Sequence, residues 1–283
     1  MGQVKQIIIQ MKKFAVLVFI LLAGLGISCS HANKASKETR VLIKTDFGNI
    51  TVKLYDETPE HKKNFLKLAE EGYYNGLLFH RVMQNFMIQG GDPDSKNAAP
   101  GARLGAGNPG YTIPAEFVPR YFHKKGALAA ARTGGPSNPE KRSSGSQFYI
   151  VQGEVFTPGK LDTMEMMMNS RAKNQFFQDQ FKASSEQLDQ FRKNNDQAGF
   201  NVCVAEIRAK ADSLWVTHDK QAFTPEQREA YTTIGGYPSL DGEYTVFGEV
   251  VDGLDVLDKI AAVETDPNNR PKSDIKMEVE VVK

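Results

Sequence analysis

Apolar and polar positions alternate along two early stretches, Val41 to Thr45 and Ile50 to Tyr55, and predict two strands. Asp46-Phe47-Gly48-Asn49 between them reads as a hairpin turn. In the second stretch Ile50, Val52 and Leu54 alternate with Thr51, Lys53 and Tyr55, so one face turns inward. Thr58-Pro59-Glu60 predicts a helix start: Thr can cap, Pro suits the first helical position, and Glu favours the positive end of the dipole. Phe65, Leu66 and Ala69 form the apolar side of that helix, and Gly72 ends it. Apolar runs at 78–82, 86–91, 127–131, 147–151 and 246–251 predict further strands between Gly- and Pro-rich loops. A second helix is expected over 254–263, with Leu254, Leu257, Ile260 and Ala261 apolar. Ile275, Met277, Val279 and Val281 then alternate with Lys276, Glu278 and Glu280 in a half-buried closing strand. Many strands against two helices predict a mainly β fold, a closed antiparallel barrel capped by the two helices.

Residues 159–238 follow a different period. Phe177, Phe181, Leu188 and Phe191 recur at helical spacing, as do Val204, Ile207, Ala211 and Leu214. Asn194-Asn195 and Ala198-Gly199 read as breakers between the two patterns, and Thr224-Pro225-Glu226-Gln227 as a capping box for a third, shorter helix. The stretch is expected to be an α-helical insertion that packs on itself, with Trp215 in its core. Its Phe and Met residues read either as that core or as a client-binding groove.

The chain has 283 residues, 40% of them hydrophobic and 24% charged, with a formal net charge of +1. That apolar share supports a real core and excludes wholesale disorder. Near-neutral charge gives no electrostatic reason to expect nucleic acid as a partner. The two cysteines, Cys29 and Cys203, exclude a disulfide scaffold. The five histidines are scattered, with no pair spaced to seat zinc, so no metal site is expected.

Near the N-terminus, Lys12-Lys13 precede a charge-free run from Phe14 to Ile27. The run fits a secretory apolar region of about 7–15 residues and is shorter than the roughly 20 needed to span a bilayer. It ends in Leu25-Gly26-Ile27-Ser28-Cys29, which resembles a bacterial lipoprotein signal in which the cysteine receives the acyl chains. Residues 1–28 are therefore expected to be a signal peptide, with translation starting at Met1 or at Met11. Cys29 is the expected lipidation site and residues 29–39 a flexible polar tether. The absence of an acidic cluster after Cys29 favours the periplasmic side of a bacterial envelope. Cys203 is then unpaired and reads as a small buried apolar residue.

The segment Phe79-His80-Arg81-Val82-Met83-Gln84-Asn85-Phe86-Met87-Ile88-Gln89-Gly90-Gly91-Asp92 carries the most chemistry. If 86–91 is a strand, Phe86 and Ile88 face one way while Met87 and Gln89 face the other. Arg81 lies on the preceding element, so a guanidinium, an amide and large apolar groups could line one concave pocket. A plain sheet with a surface arginine fits the same pattern.

At this point the sequence resembles the cyclophilins, the family of peptidyl-prolyl cis/trans isomerases. Phe79 to Asp92 matches the family's FHR…F-M-x-Q-G-G-D signature, and Gly126 to Thr133 its G-x-[LIV]-[AS]-M-A segment in the bacterial form. Ser146-Gln147-Phe148-Tyr149-Ile150 is similar to its S-Q-F-[FY]-I strand, and Leu240 to Gly248 to its L-D-G-x-[HY]-[TV]-V-F-G stretch. The likeness covers 40–158 and 239–283, in the family's order, and leaves 159–238 outside.

The resemblance implies an eight-stranded barrel and specific roles. Arg81 is the catalytic arginine by this likeness. Phe86, Met87, Tyr149 and Leu240 are the walls that receive the proline ring, and Gln89 orients the arginine and contacts substrate. Ala131 and Arg132 belong to the stretch whose backbone binds the residue before proline, and Tyr244 stands where the family usually has His. Ser239 replaces a Trp of many eukaryotic members, which argues against tight cyclosporin binding. Rotation about a prolyl bond breaks no covalent bond, so no nucleophile, metal or cofactor is required.

Weaker signals read as structure. Gly105-Ala106-Gly107-Asn108-Pro109-Gly110 fits G-x-G-x-x-G, but no strand precedes it and Pro109 with Pro114 opposes a following helix, so it is expected to be a flexible loop. His80 reads as a structural, hydrogen-bonded histidine, because isomerisation transfers no proton. Gly134 to Gly145 reads as a surface loop rather than a substrate-contacting lip. Two functions follow: an anchored envelope isomerase acting on proline-containing exported proteins, or a holdase that grips clients through the insertion.

Overall fold

Strand β1 (Arg40–Thr45) and strand β2 (Gly48–Leu54) form the expected hairpin, but its turn is Asp46-Phe47 alone. Gly48, at φ +126°, already pairs with Thr45. This is a computed structural model in which residues 38–282 are described. The signal peptide 1–28, the start at Met11, the lipidation site Cys29 and the tether up to residue 37 lie outside the described residues. Among the described residues, no helix is long and apolar enough to cross a membrane.

The other strands are β3 (Arg81–Met83), β4 (Met87–Gly90), β5 (Thr112–Ile113), β6 (Ala127–Ala130), β7 (Ser143–Ser144), β8 (Phe148–Val151), β9 (Val246–Asp252) and β10 (Glu278–Val282). Eight of them form one antiparallel sheet in the order β10-β1-β2-β9-β6-β8-β4-β3, and β5 pairs with β7 apart from it. Register shifts at Thr51/Val52 and at Leu128/Ala129, both against β9, bend the sheet. Gly248 sits at this bend, where a Cβ would lie 2.4 Å from the Lys53 carbonyl oxygen.

The closed eight-stranded barrel expected from the sequence is not what the ladders form. Edge strands β3 and β10 share no ladder, and the sheet is a curled half-barrel. The gap is crossed by the segments before these strands and by single bonds from the strands themselves, Val82 N to the Asn269 carbonyl at 2.8 Å and Val279 N to Asn75 Oδ1 at 3.0 Å. Leu78 bridges Lys276, Phe79 N donates to the Ile275 carbonyl at 2.9 Å, and Met277 N donates to that of Leu77 at 2.9 Å. Beyond this contact the two chains diverge, since β10 turns to β1 and β3 is only 3 residues long.

Helix α1 (Pro59–Glu70) and helix α6 (Leu254–Ala261) bury Phe65, Leu68, Val256, Leu257 and Ile260 against Ile50, Val52, Ile88, Leu128, Phe148 and Ile150. Two positions differ from the helical pattern: Leu66 is only partly buried and Leu254 is 40% exposed. Leu68 and Val256 take their places in the core. Gly72, at φ +65°, ends α1 as expected, and Tyr73 N donates to the Leu68 carbonyl at 2.9 Å. The start of α1 is capped differently. Thr58 makes no side-chain cap, and the carboxylate of Glu116 accepts from the backbone N–H groups of Glu60 (3.1 Å) and His61 (3.0 Å) instead.

Between β8 and β9 lie α2 (Pro158–Ala183), α3 (Ser185–Lys193), α4 (Gln197–Thr217) and α5 (Pro225–Thr233). Leu188, buried Cys203 and Ile207 join Phe177, Phe181, Phe191, Phe200 and Val204 in one apolar cluster among α2, α3 and α4. Thr224 and Gln227 form the expected capping box. Five details depart from the sequence reading. The apolar run 177–191 is split at Ser184, and Gly199 lies in the first turn of α4, donating to Asp196 Oδ1 at 2.8 Å, rather than breaking a helix. Leu214 is 40% exposed. Trp215 is half-buried against Phe176 and His218, outside the cluster. Nor does the segment pack only on itself: Leu161, Phe223 and Tyr231 bury against Phe122, which precedes β6.

Candidate active site

Alternation along three neighbouring strands builds two surfaces from one sheet. On β8, Phe148 and Ile150 enter the large core, while Tyr149 and Val151 enter a second apolar cluster. On β6, Leu128 and Ala130 enter the core while Ala127 and Ala129 face the second cluster, which Ala131 also joins. On β4, Ile88 faces the core and Met87 the second cluster, and Gln89 lies directly across from Tyr149. Phe86, Leu240 and Tyr244 pack against the rim of this cluster.

Phe86 corrects one expectation. It shares a surface with Met87 rather than facing away with Ile88. It lies outside β4, in a turn closed by Phe86 N donating to the Met83 carbonyl at 3.1 Å, with Asn85 at φ +62°. The turn resets the strand phase, so alternation does not reach Phe86. Its ring lies 4.3 Å from that of Tyr237.

Arg81 on β3 pairs with Gln89 on β4. Its Nη1 donates to Gln89 Oε1 at 3.1 Å and its Nη2 lies 3.1 Å from Met83 Sδ, with the guanidinium 5.6 Å from the centre of the Phe86 ring. Half-burial pulls the guanidinium below its ordinary value, opposed by Tyr244; arginine stays charged. Gln89 Nε2 donates to Gln147 Oε1 at 2.9 Å, and Gln147 Nε2 donates to the carbonyls of Gly105 (3.1 Å) and Gly107 (2.7 Å). A chain of amides thus runs from the guanidinium to the glycine-rich loop.

That loop is pinned rather than flexible. Asp92 accepts from the N–H groups of Asp94 and Gly105, and a Cβ on Gly107 would lie 2.1 Å from Asp92 Oδ1. The loop walls a groove of about 950 Å³ whose other side includes Ala131, Thr133, Ser137, Asn138 and Arg142. Residues of the 134–145 stretch therefore form a groove lip, and Ser143 within it is buried.

Arg132 turns its side chain away. Its Nε donates to the Glu243 carbonyl at 2.8 Å, its Nη2 pairs with the Glu243 carboxylate at 3.0 Å, and its guanidinium lies 4.5 Å from the Tyr244 ring centre. It braces the turn that carries Tyr244. Ala131 N donates to the Gln147 carbonyl at 3.0 Å, and its own carbonyl accepts from Ser144 at 2.8 Å. His80 is buried, but it is not the hydrogen-bonded histidine expected from the sequence: neither ring nitrogen has a hydrogen-bond partner. Burial pushes its imidazole down to about 4, partly offset by Asp92.

Sequence reasoning passed over Gln147, Met83, Tyr237 and His123. Gln147 and Met83 were within reach, because they stand two residues from Tyr149 and from Arg81 and so share their faces. Tyr237 and His123 are brought in from distant chain segments.

The model of the cyclophilin type peptidyl-prolyl cis-trans isomerase family matches residues 40–177 and 166–281. The chain belongs to this family. A putative peptidyl-prolyl cis-trans isomerase of Staphylococcus saprophyticus is 30% identical to this cyclophilin over 248 residues, 87% of this chain and 92% of that one. A Staphylococcus aureus relative of the same description is 30% identical over 242 residues, covering 85% and 90%. A putative bifunctional phosphatase/peptidyl-prolyl cis-trans isomerase of Streptococcus pyogenes is 31% identical over 242 residues; this cyclophilin spans 37% of that protein's length. A solved Cryptosporidium parvum cyclophilin covers 87% of the chain, and 98% of its own, with a TM-score of 0.49 and 20% identity.

Proposed function

We propose that the chain isomerises X-Pro bonds by holding the Arg81 guanidinium against a prolyl amide seated on Phe86, Met87, Tyr149 and Leu240. One observation carries the reading: the guanidinium is half-buried beside Phe86 and fixed by the Gln89 amide. Amide resonance sets a rotation barrier of ~18–20 kcal/mol, and uncatalysed X-Pro exchange takes tens to hundreds of seconds. In the twisted transition state conjugation is lost and the prolyl nitrogen gains a lone pair. A charged N–H donor already aimed at that lone pair binds the twisted amide better than either planar form. Arginine suits this task because its donors lie in a fixed plane. Apolar walls keep water from the amide and strengthen the interaction.

In this reading residues 40–158 and 239–283 are the isomerase domain and 159–238 an insertion. An acyl chain on Cys29 would hold the enzyme at a bacterial envelope, facing the periplasm, where its substrates are exported proteins with slow prolyl bonds. The support is the apolar run before Cys29 and the polar stretch after it. Ser239 offers no indole, so cyclosporin binds weakly.

The test is a protease-coupled assay on a short Ala-Pro peptide. Arg81→Ala is expected to lose about 10²–10³ in rate, the scale of one lost transition-state donor. A variant with near-full activity overturns the assignment.

A second reading, client holding, draws support from exposed Met166, Met167 and Val216 on α2 and α4. It predicts that Asp at all three positions abolishes suppression of client aggregation and leaves short-peptide isomerisation intact. Unchanged suppression removes it.

A further inference from the structure

A buried polar chain runs from α5 to the wall of the proposed proline pocket. Tyr231, on α5 and fully buried, donates its hydroxyl to Asp241 Oδ2 at 2.6 Å. Asp241 Oδ1 accepts from the backbone N–H of His123 at 2.8 Å and lies 2.9 Å from its Nδ1. The other ring nitrogen, Nε2, lies 2.9 Å from the Tyr149 hydroxyl. A carboxylate offers only acceptors, so Nδ1 carries a proton toward Asp241, and Nε2 closes the chain on the Tyr149 hydroxyl.

We propose that Tyr231 is a positioning residue for the proline pocket, acting through Asp241 and His123 on Tyr149 and Leu240. The inference rests on the isomerase reading above. Asp241 directly follows Leu240, so the same carboxylate sets the turn that holds one wall. Tyr149 lies opposite Gln89, the amide that orients Arg81, and its ring stands edge-on to Tyr244 at 5.9 Å. A rigid ring with a fixed hydroxyl cannot tilt toward Met87 or away from it without breaking the chain. Tyr231 itself is clamped by Phe122, Phe156 and Phe223, so the helical segment supplies a fixed end. The helical segment between β8 and β9 thereby helps to shape the pocket on the sheet.

The experiment measures kcat and KM on a short X-Pro peptide at low temperature, for wild type, Arg81→Ala, Tyr231→Phe, Tyr149→Phe and the double phenylalanine variant, with thermal melts confirming folded protein. Tyr231→Phe is expected to lower kcat/KM by roughly threefold to tenfold, mainly through KM. Once Tyr149→Phe has cut the chain, adding Tyr231→Phe should cost little more. Asp241→Asn, which keeps the shape and alters the acceptor, should fall in the same range. Unchanged kcat/KM in folded Tyr231→Phe, or strictly additive losses in the double variant, overturns the proposal. Should wild type turn over no faster than Arg81→Ala, the isomerase reading itself fails. Activity in wild type with no response to Tyr231→Phe leaves that reading standing and removes only this inference.

Discussion

Arg81 and Gln89 face each other across the β3–β4 ladder, and the Gln89 amide oxygen accepts from Arg81 Nη1 at 3.1 Å. The pair ties the orientation of a flexible side chain to a strand register. Without it, the guanidinium would have to be held by weaker sulfur and ring contacts. Gln89→Ala is therefore expected to lower kcat/KM about tenfold, less than Arg81→Ala, with thermal stability nearly unchanged. Arg81→Lys should recover little, because an ammonium cannot reproduce the planar fork. Peptide kinetics on the three variants check both statements.

Gly107 has no room for a side chain. A Cβ would press on Asp92 Oδ1 at 2.1 Å, and Asp92 is itself fully buried. Gly107→Ala is expected to destabilise the fold by about 1–3 kcal/mol and to displace the loop that Gln147 holds. Urea denaturation measures the first effect, and a raised KM for longer peptides reports the second.

Glu116 caps α1 from a distant loop and at the same time holds His61. Its Oε2 lies 2.6 Å from His61 Nδ1, while His61 Nε2 lies 2.9 Å from Ser143 Oγ. The order of atoms is that of a nucleophile, base and acid, yet Ser143 is 1% exposed, so no substrate reaches it. It is a lock between helix and loop. Glu116→Ala should cost about 2 kcal/mol or more in urea denaturation, with short-peptide kcat altered far less than by Arg81→Ala.

Acid should weaken the fold through His80. Burial lowers its folded value to about 4 from an ordinary 6.5. The unfolded chain therefore takes up a proton first as pH falls, and stability present above 6.5 is lost progressively down to about 4. The full loss is about 3 kcal/mol. His61, also lowered chiefly by burial, adds in the same direction. Unfolding free energies measured between pH 7 and 4 should fall with pH, and His80→Gln should flatten that slope.

Much of the site was legible because strand periodicity encodes faces. Met87, Gln89 and Tyr149 share a surface for the same reason that Ile88 and Ile150 share the core. What periodicity omits is who meets whom. Nothing local in the sequence joins Glu116 to α1 or Gln147 to the loop at Gly105 and Gly107, since these contacts span 55 and about 40 residues. Phe86 was placed on the wrong face because a turn with Asn85 in the left-handed region intervenes. Leu214, in the last turn of α4, and Leu254, the first residue of α6, each stay 40% exposed although the helical period assigns them to the apolar side. The open edge between β3 and β10 depends on where two chain segments part, which neither segment's own pattern records.

The division of β8 between two surfaces constrains how this enzyme can change over time. Dropping or adding one residue upstream of Tyr149 would exchange pocket lining for packing side chains along the whole strand, damaging chemistry and folding together. That strand can drift only by replacement. The helices after it obey no such parity, and length variation among relatives should therefore gather between β8 and β9, up to the point where Tyr231 must still reach Asp241.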